Sequence, residues 1–385
     1  MRGFKPLVAV VAVSLLAASC GSDDKAATTT AAGGSTAAST SAGGGSGLEA
    51  AKAAVAKYSS EQQPIGITKP LTKKPEKKKF AYLQCELESC MYGAEGAKAA
   101  TAALGWELIL ISSKSATPAP AFQQAIDAGA DFIASTGEAP SLYKDQAKLA
   151  ADKGIKILSC FDTTPPDGPG ANIWTQCGDT SFVEKTGPLM ANWAIADSNG
   201  KAHPLIVSIP DFAVLKAETD AYIAEFKKNC ADCKYDELNV SINDLVGGKV
   251  PASVAAQIQA NKEINYVFFS FGSLALGVTS ALKSGGLLDK VKVYGQDFSK
   301  PNLDEITAGT MGAWSADPKG YASWLMVDAA ARLSLDMPLD EERAAASLPT
   351  FIVSDGATAK KISDAGGDWS PPGMEDAFKK LWKVG

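Results

Sequence analysis

Histidine is almost missing from this chain: His203 is the single one in 385 residues. A Ser-His-Asp triad would have to be built on it, yet His203 opens a predicted strand instead of sitting in a cleft loop. The same scarcity leaves few borderline ligands for zinc, so no metal site is expected. The nucleophile elbow G-x-S-x-G is absent, Gly272-Ser273-Leu274 being no match. Phosphate-cradling glycine loops are absent too, so neither a cofactor nor an enzyme activity is implied. A basic excess is also lacking, with 37 Lys and Arg against 43 Asp and Glu for a net charge of −6. An acidic body argues against nucleic acid, whose binders need a basic face.

No bilayer span is indicated at the N-terminus, where the apolar run Leu7–Ala18 falls short of the roughly 20 residues required. With Arg2 and Lys5 ahead of that run and small residues behind it, residues 1–19 read as a secretory signal peptide. Its removal takes the net charge from −6 to −8. The end of the signal, Leu16-Ala17-Ala18-Ser19-Cys20, resembles the lipobox of bacterial lipoproteins, which implies lipidation at Cys20. Beyond it comes a tract of Gly, Ser, Thr and Ala that cannot bury a core. Residues 20–60 are expected to form a flexible tether with an r.m.s. reach of roughly 35 Å, with a short helix possible over Leu48–Tyr58. Lys73, Lys74, Lys77, Lys78 and Lys79 cluster before the first strand and read as a solvated run, with contact to anionic headgroups as the alternative.

Six cysteines remain after Cys20, and an exported chain can keep them as disulfides. Proximity in sequence favours Cys85–Cys90, Cys160–Cys177 and Cys230–Cys233, a preference among many possible pairings. Cys230-Ala-Asp-Cys233 has redox spacing, but it follows a helical stretch instead of opening one. The helix dipole would not activate a thiolate there, so a structural disulfide is expected.

From Lys79 onward strands and helices alternate. Phe80–Cys85 is an apolar strand, CELESCMY a loop, and Ala-rich Gly93–Leu104 a helix stopped by Gly105. Strands follow at 107–112, 131–134, 155–160 and 172–177, with helices between them, which predicts a parallel doubly wound sheet. The pattern restarts near residue 200, so two α/β lobes are expected. Ligands of such sheets sit beyond the carboxyl ends of the strands, where the strand-to-helix loops gather.

Three groups of segments carry a family resemblance. The first is GAEGAKAATAALGW (93–106) with AIDAGADFI (125–133) and GIKIL (154–158). The second is YVFFSFGSLALGVTSAL (266–282) with VYGQDFSKP (293–301). The third is GAWSADPKGYASWLMVDAA (312–330). In this order the chain resembles the type I periplasmic binding proteins of the ribose and galactose kind, over roughly residues 79–345. The resemblance implies two Rossmann-like lobes joined by a three-crossing hinge near 178–180, 314–317 and 345–350. Lobe 1 would then be 79–178 and 316–345, and lobe 2 would be 179–315 and 346–385.

The same resemblance implies ligand contacts at strand ends: Glu86 and Met91 in the first loop, Phe161 and Asp162 after the fourth strand, and Lys216 in lobe 2. Phe271, Asp297 and Trp314 complete the set. Asp297 matches a late aspartate of the family directly. Phe161, Phe271 and Trp314 make the pocket more aromatic than usual, which suits a sugar or polyol held by stacking, and also an aromatic or cationic ligand. The function implied is a monomeric, extracytoplasmic, lipid-anchored binding component that traps a small solute by hinge closure and presents it to the membrane permease of an ABC importer. A sensory module presenting its ligand to a membrane receptor is the alternative.

Overall fold

The computed structural model describes residues 43–61, 63–163 and 168–384. The signal peptide, Cys20 and the tether as far as residue 42 lie outside them. Helix α1 (Gly43–Lys57) precedes the first sheet. That sheet has strands β1 (Lys79–Gln84), β2 (Glu107–Ser112), β3 (Phe132–Thr136), β4 (Lys156–Cys160) and β5 (Ile173–Cys177). Helices α2 (Glu88–Leu104), α3 (Ala119–Asp127) and α4 (Lys144–Asp152) connect its strands. The spatial order is β2-β1-β3-β4-β5, all parallel. Phe80 and Tyr82 face one helical layer with α2, while Ala81 and Leu83 face α3 and α4. Cover on both faces explains why β1 reads as a continuous apolar run and not an alternating one.

The second series begins with α5 (Thr180–Asp197), β6 (Pro204–Ser208), α6 (Ala213–Asn229) and β7 (Asp236–Asn239). It continues through α7 (Ile242–Val246), α8 (Val250–Ala260), β8 (Tyr266–Phe269) and α9 (Val278–Ser284). Then come β9 (Lys292–Gln296), α10 (Lys300–Thr307), the two-residue β10 (Trp314–Ser315) and α11 (Lys319–Ser334). Last are α12 (Asp340–Ala344), β11 (Ile352–Val353), α13 (Gly356–Asp364) and α14 (Met374–Leu381). The second sheet runs β11-β10-β9-β8-β6-β7, parallel except for β11. Apart from β11 the two sheets have one topology, so the strand order reverses beside β1 in lobe 1 and beside β6 in lobe 2. The crevice at each reversal is where an open α/β sheet takes its ligand.

The chain passes from the first sheet to the second series after β5, returns to the lobe 1 core with α11 after β10, and goes back to the second sheet at β11, and two more passages accompany these. At the N-terminal side, Leu48, Ala51 and Tyr58 pack on lobe 2, whereas Ile65, Ile67 and Leu71 pack on lobe 1. The tether is therefore shorter than expected: residues 43–57 are a helix docked on α5 and α6. At the C-terminal side, Phe351, Ile362 and Trp369 belong to lobe 2, but Phe378 and Trp382 cross back to lobe 1. Assigning all of 346–385 to lobe 2 is corrected accordingly. Trp382 stacks on Trp324 of α11 at 5.1 Å, and its Nε1–H donates to the buried Asp328 carboxylate at 2.6 Å. Asp328 also accepts from Arg332, which pairs with Glu342, so this return is held by a buried charge network.

No helix among the described residues is long and apolar enough to cross a membrane. Cysteine pairs 85–90, 160–177 and 230–233 are joined as disulfides.

Candidate functional site

A cavity of about 90 Å³ lies beyond the carboxyl ends of both sheets and is walled by both lobes. Lobe 1 supplies the disulfide Cys85–Cys90 and Leu87 after β1, Thr136 and Gly137 after β3, and Phe161 after β4. Lobe 2 supplies Phe212 and Leu215 after β6, Phe271 after β8, and Gln296 and Asp297 at the end of β9. Asp317 and Lys319 come from the crossing that follows β10. The lobes touch on each side of the cavity. Leu87 packs on the lobe 2 core and Val214 on the lobe 1 core. Tyr92 donates to Glu88 Oε1 at 2.7 Å and accepts from the backbone N–H of Lys300 at 3.0 Å, which ties α2 to α10.

Two equivalent positions carry left-handed backbone. Phe161 and Asp297 each follow the fourth strand of their lobe, and both have positive φ, 56° and 54°. For the bulky Phe161 this conformation is an outlier, of the kind that gathers at functional sites, whereas aspartate adopts it more readily. Gly178 makes the Phe161 conformation possible, since a Cβ there would lie 2.4 Å from the phenyl ring.

Lys319 is the electrostatic centre. Its ammonium lies 2.6 Å from Asp317 Oδ2, 3.2 Å from Asp297 Oδ2 and 3.7 Å from the centroid of the Phe161 ring. Burial alone would lower its pKa, but the two carboxylates outweigh that and hold it above the ordinary lysine value. Asp368 fixes the start of α11 by accepting from the Lys319 and Gly320 amides at 3.3 and 2.8 Å. Gln296 Oε1 and Asp317 Oδ1 are buried without a hydrogen-bond partner. Buried acceptors in that state cost stability unless a ligand donor meets them.

The acids around the cavity outnumber its cations. Burial pushes Asp297 and Asp368 up to about 7, and the wholly buried Glu218 well above its usual value. Glu138, 1% exposed in the loop after β3, is pushed up to about 8 by burial. Acids raised in this way bind protons in the folded state that the unfolded chain has released above about pH 4. Their contribution therefore destabilises the fold as pH rises from about 4 towards 8. The thermal midpoint is expected to fall by a few degrees between about pH 5.5 and pH 8.5. Glu138→Gln, which cannot ionise, should flatten that fall. A midpoint that rises over this range in the parent protein would contradict it.

Of the residues implied by sequence, Phe161, Phe271 and Asp297 meet around this cavity. Five do not line it. Glu86 stands behind the wall, where its Oε2 accepts from the Ser115 amide and hydroxyl at 3.0 and 3.3 Å. Met91 is 54% exposed, because α2 begins at Glu88 and absorbs what was expected to be loop. Asp162 is buried one residue beyond Phe161. Lys216 points to solvent and pairs with Asp220 at 2.6 Å. Trp314 is fully buried in the lobe 2 core. Its indole covers Gly295, where a Cβ would lie 2.7 Å from the ring, so it is a core residue and not a stacking surface.

Asp317, Lys319, Gln296 and Phe212 went unnoticed in the sequence, although each follows or ends a strand and the strand-end rule would have found them. His203 lies at the opposite end of β6 and contacts Asp236 at 2.7 Å.

The sequence profile of the periplasmic binding protein domain matches residues 91–335. No curated protein sequence matches the chain. Among solved structures, the glucose-galactose binding protein GanP of Geobacillus stearothermophilus is similar with a TM-score of 0.60 and 15% identity, covering 72% of this chain and 98% of that one. A carbohydrate transporter protein of Acidothermus cellulolyticus in complex with myo-inositol gives 0.61 and 20%, covering 75% and 98%. An ABC transporter solute-binding protein of Actinobacillus succinogenes with bound D-allose gives 0.61 and 17%, covering 74% and 100%. At such identities these likenesses concern the fold. The family match spans well over half of the chain, which therefore belongs to the periplasmic binding proteins, a family of solute binders and not of enzymes.

Proposed function

We propose that this protein is the lipid-anchored binding component of an ABC-type importer, capturing a small sugar or polyol between its lobes. The observation that carries this reading is the cavity itself: both sheets end on it, and Gln296 and Asp317 present it with unpaired acceptors. Hydroxyl groups are donors that such acceptors can hold. The relatives of this fold bound to myo-inositol and D-allose support the solute class. Hinge closure would exclude water from the Asp297–Lys319–Asp317 cluster and strengthen each polar contact within it.

A thermal-shift panel of monosaccharides and polyols tests the reading. A solute bound only by the folded protein at about 100 times its Kd should stabilise it by about 2.7 kcal/mol. No shift with any member would reject the solute class.

Anchoring is a separate expectation, resting on Leu16–Cys20. Cys20→Ala should release the protein from the membrane fraction into the soluble one. Mass spectrometry of the native protein should find an acylated cysteine at the mature N-terminus, and an unmodified N-terminus at another residue would reject the anchor.

A further inference from the structure

The chemistry of the lobe 2 wall is sorted along its sheet. Neighbouring strands β10 and β9 end in Asp317, Lys319, Gln296 and Asp297. The next strands, β8 and β6, lead to Phe271, Phe212 and Leu215, which with Leu87 from lobe 1 join the lobe 2 hydrophobic cluster. With strands about 4.8 Å apart, the step from β10 to β6 covers about 14 Å, enough to separate two halves of one small molecule.

At the polar half the unpaired atoms, Gln296 Oε1 and Asp317 Oδ1, are both acceptors and require donors from the solute. Lys319 already divides its ammonium between two carboxylates and the face of Phe161. At the apolar half, beyond this cluster, the lobe 2 segments after β6 and β8 line the cavity with apolar side chains alone, Phe212, Val214, Leu215 and Phe271, while the remaining hydroxyls of the lining, Tyr82, Ser89, Ser115 and Thr136, belong to lobe 1. A hydroxyl turned to the lobe 2 side of this half would lose its water and meet no polar side chain of that wall. A solute hydroxylated all round matches only one end.

Resting on the proposed solute-binding role, we propose that the solute is two-sided: a hydroxylated head held by Gln296, Asp297, Asp317 and Lys319, joined to one apolar substituent of phenyl or short-alkyl size. Phe212, Phe271, Leu215 and Leu87 receive that substituent. Phe212 is a specificity residue on this account, because it stands in the loop before α6, half-buried and outside either sheet.

The test uses the full chain with a panel of monosaccharides and polyols, each bare and with a phenyl group carried at each hydroxyl in turn. At least one phenyl derivative should bind about tenfold or more tighter than its bare parent. Phe212→Ser should remove most of that gain, weakening the phenyl derivative several-fold more than its bare parent. Bare parents that bind as tightly as every derivative, or a Phe212→Ser variant that weakens both equally, would overturn the two-sided solute and leave the importer role standing. Failure of every member, bare and substituted, would overturn both.

Discussion

Trp314→Ala should destabilise the protein by about 3–5 kcal/mol, the cost of emptying a packed aromatic site in a core. The indole is fully buried between the lobe 2 helices and Gly295, and the surrounding strands can collapse only partly into the space. Cooperative unfolding in denaturant should show the loss directly. A change below about 1 kcal/mol would mean that Trp314 is not part of the core.

Trp314 also shows where sequence stops being informative. A tryptophan beside a hinge, in a segment too short to display a strand period, has the signature of a stacking residue in a cleft. Its burial depends on β10 pairing with β9 in a register that sets Trp314 opposite Gly295, and nothing local in the sequence announces that pairing. The same limit explains α14. Phe378 and Trp382 mark an apolar face, but which lobe receives it depends on Trp324, more than fifty residues earlier. The start of α2 is hidden for a third reason. Its N-cap, Leu87, makes no side-chain cap bond, so the usual signature is absent.

The sheets are legible because their strands are covered on both faces, as YVFF at 266–269 shows, and such runs survive without any knowledge of partners. Phe161, Phe271 and Asp297 are legible for a topological reason: they follow strands, and strand ends converge wherever sheets are doubly wound. Asp317 and Lys319 look like an ordinary charged connection in the sequence. Only the fold shows them buried together against Asp297.

Asp297→Ala is expected to weaken solute binding by about 10- to 100-fold, because hydrogen bonds to a charged group contribute roughly 1.5–3 kcal/mol. The substitution removes an acceptor from the polar half of the cavity and frees Lys319 from one of its two carboxylates. It also removes a group whose ionisation burial opposes, while adding a little strain at positive φ, a conformation that aspartate tolerates better than alanine. The fold should therefore persist, with Asp317 still pairing Lys319.

That contrast supplies the most direct measurement: calorimetric titration of the parent protein and Asp297→Ala with the sugar or polyol that raises the thermal midpoint most. One saturable site per chain is expected in the parent protein, with affinity about 10- to 100-fold lower in a variant that remains folded. Equal affinity in the two proteins would place the solute somewhere other than the cavity between the lobes.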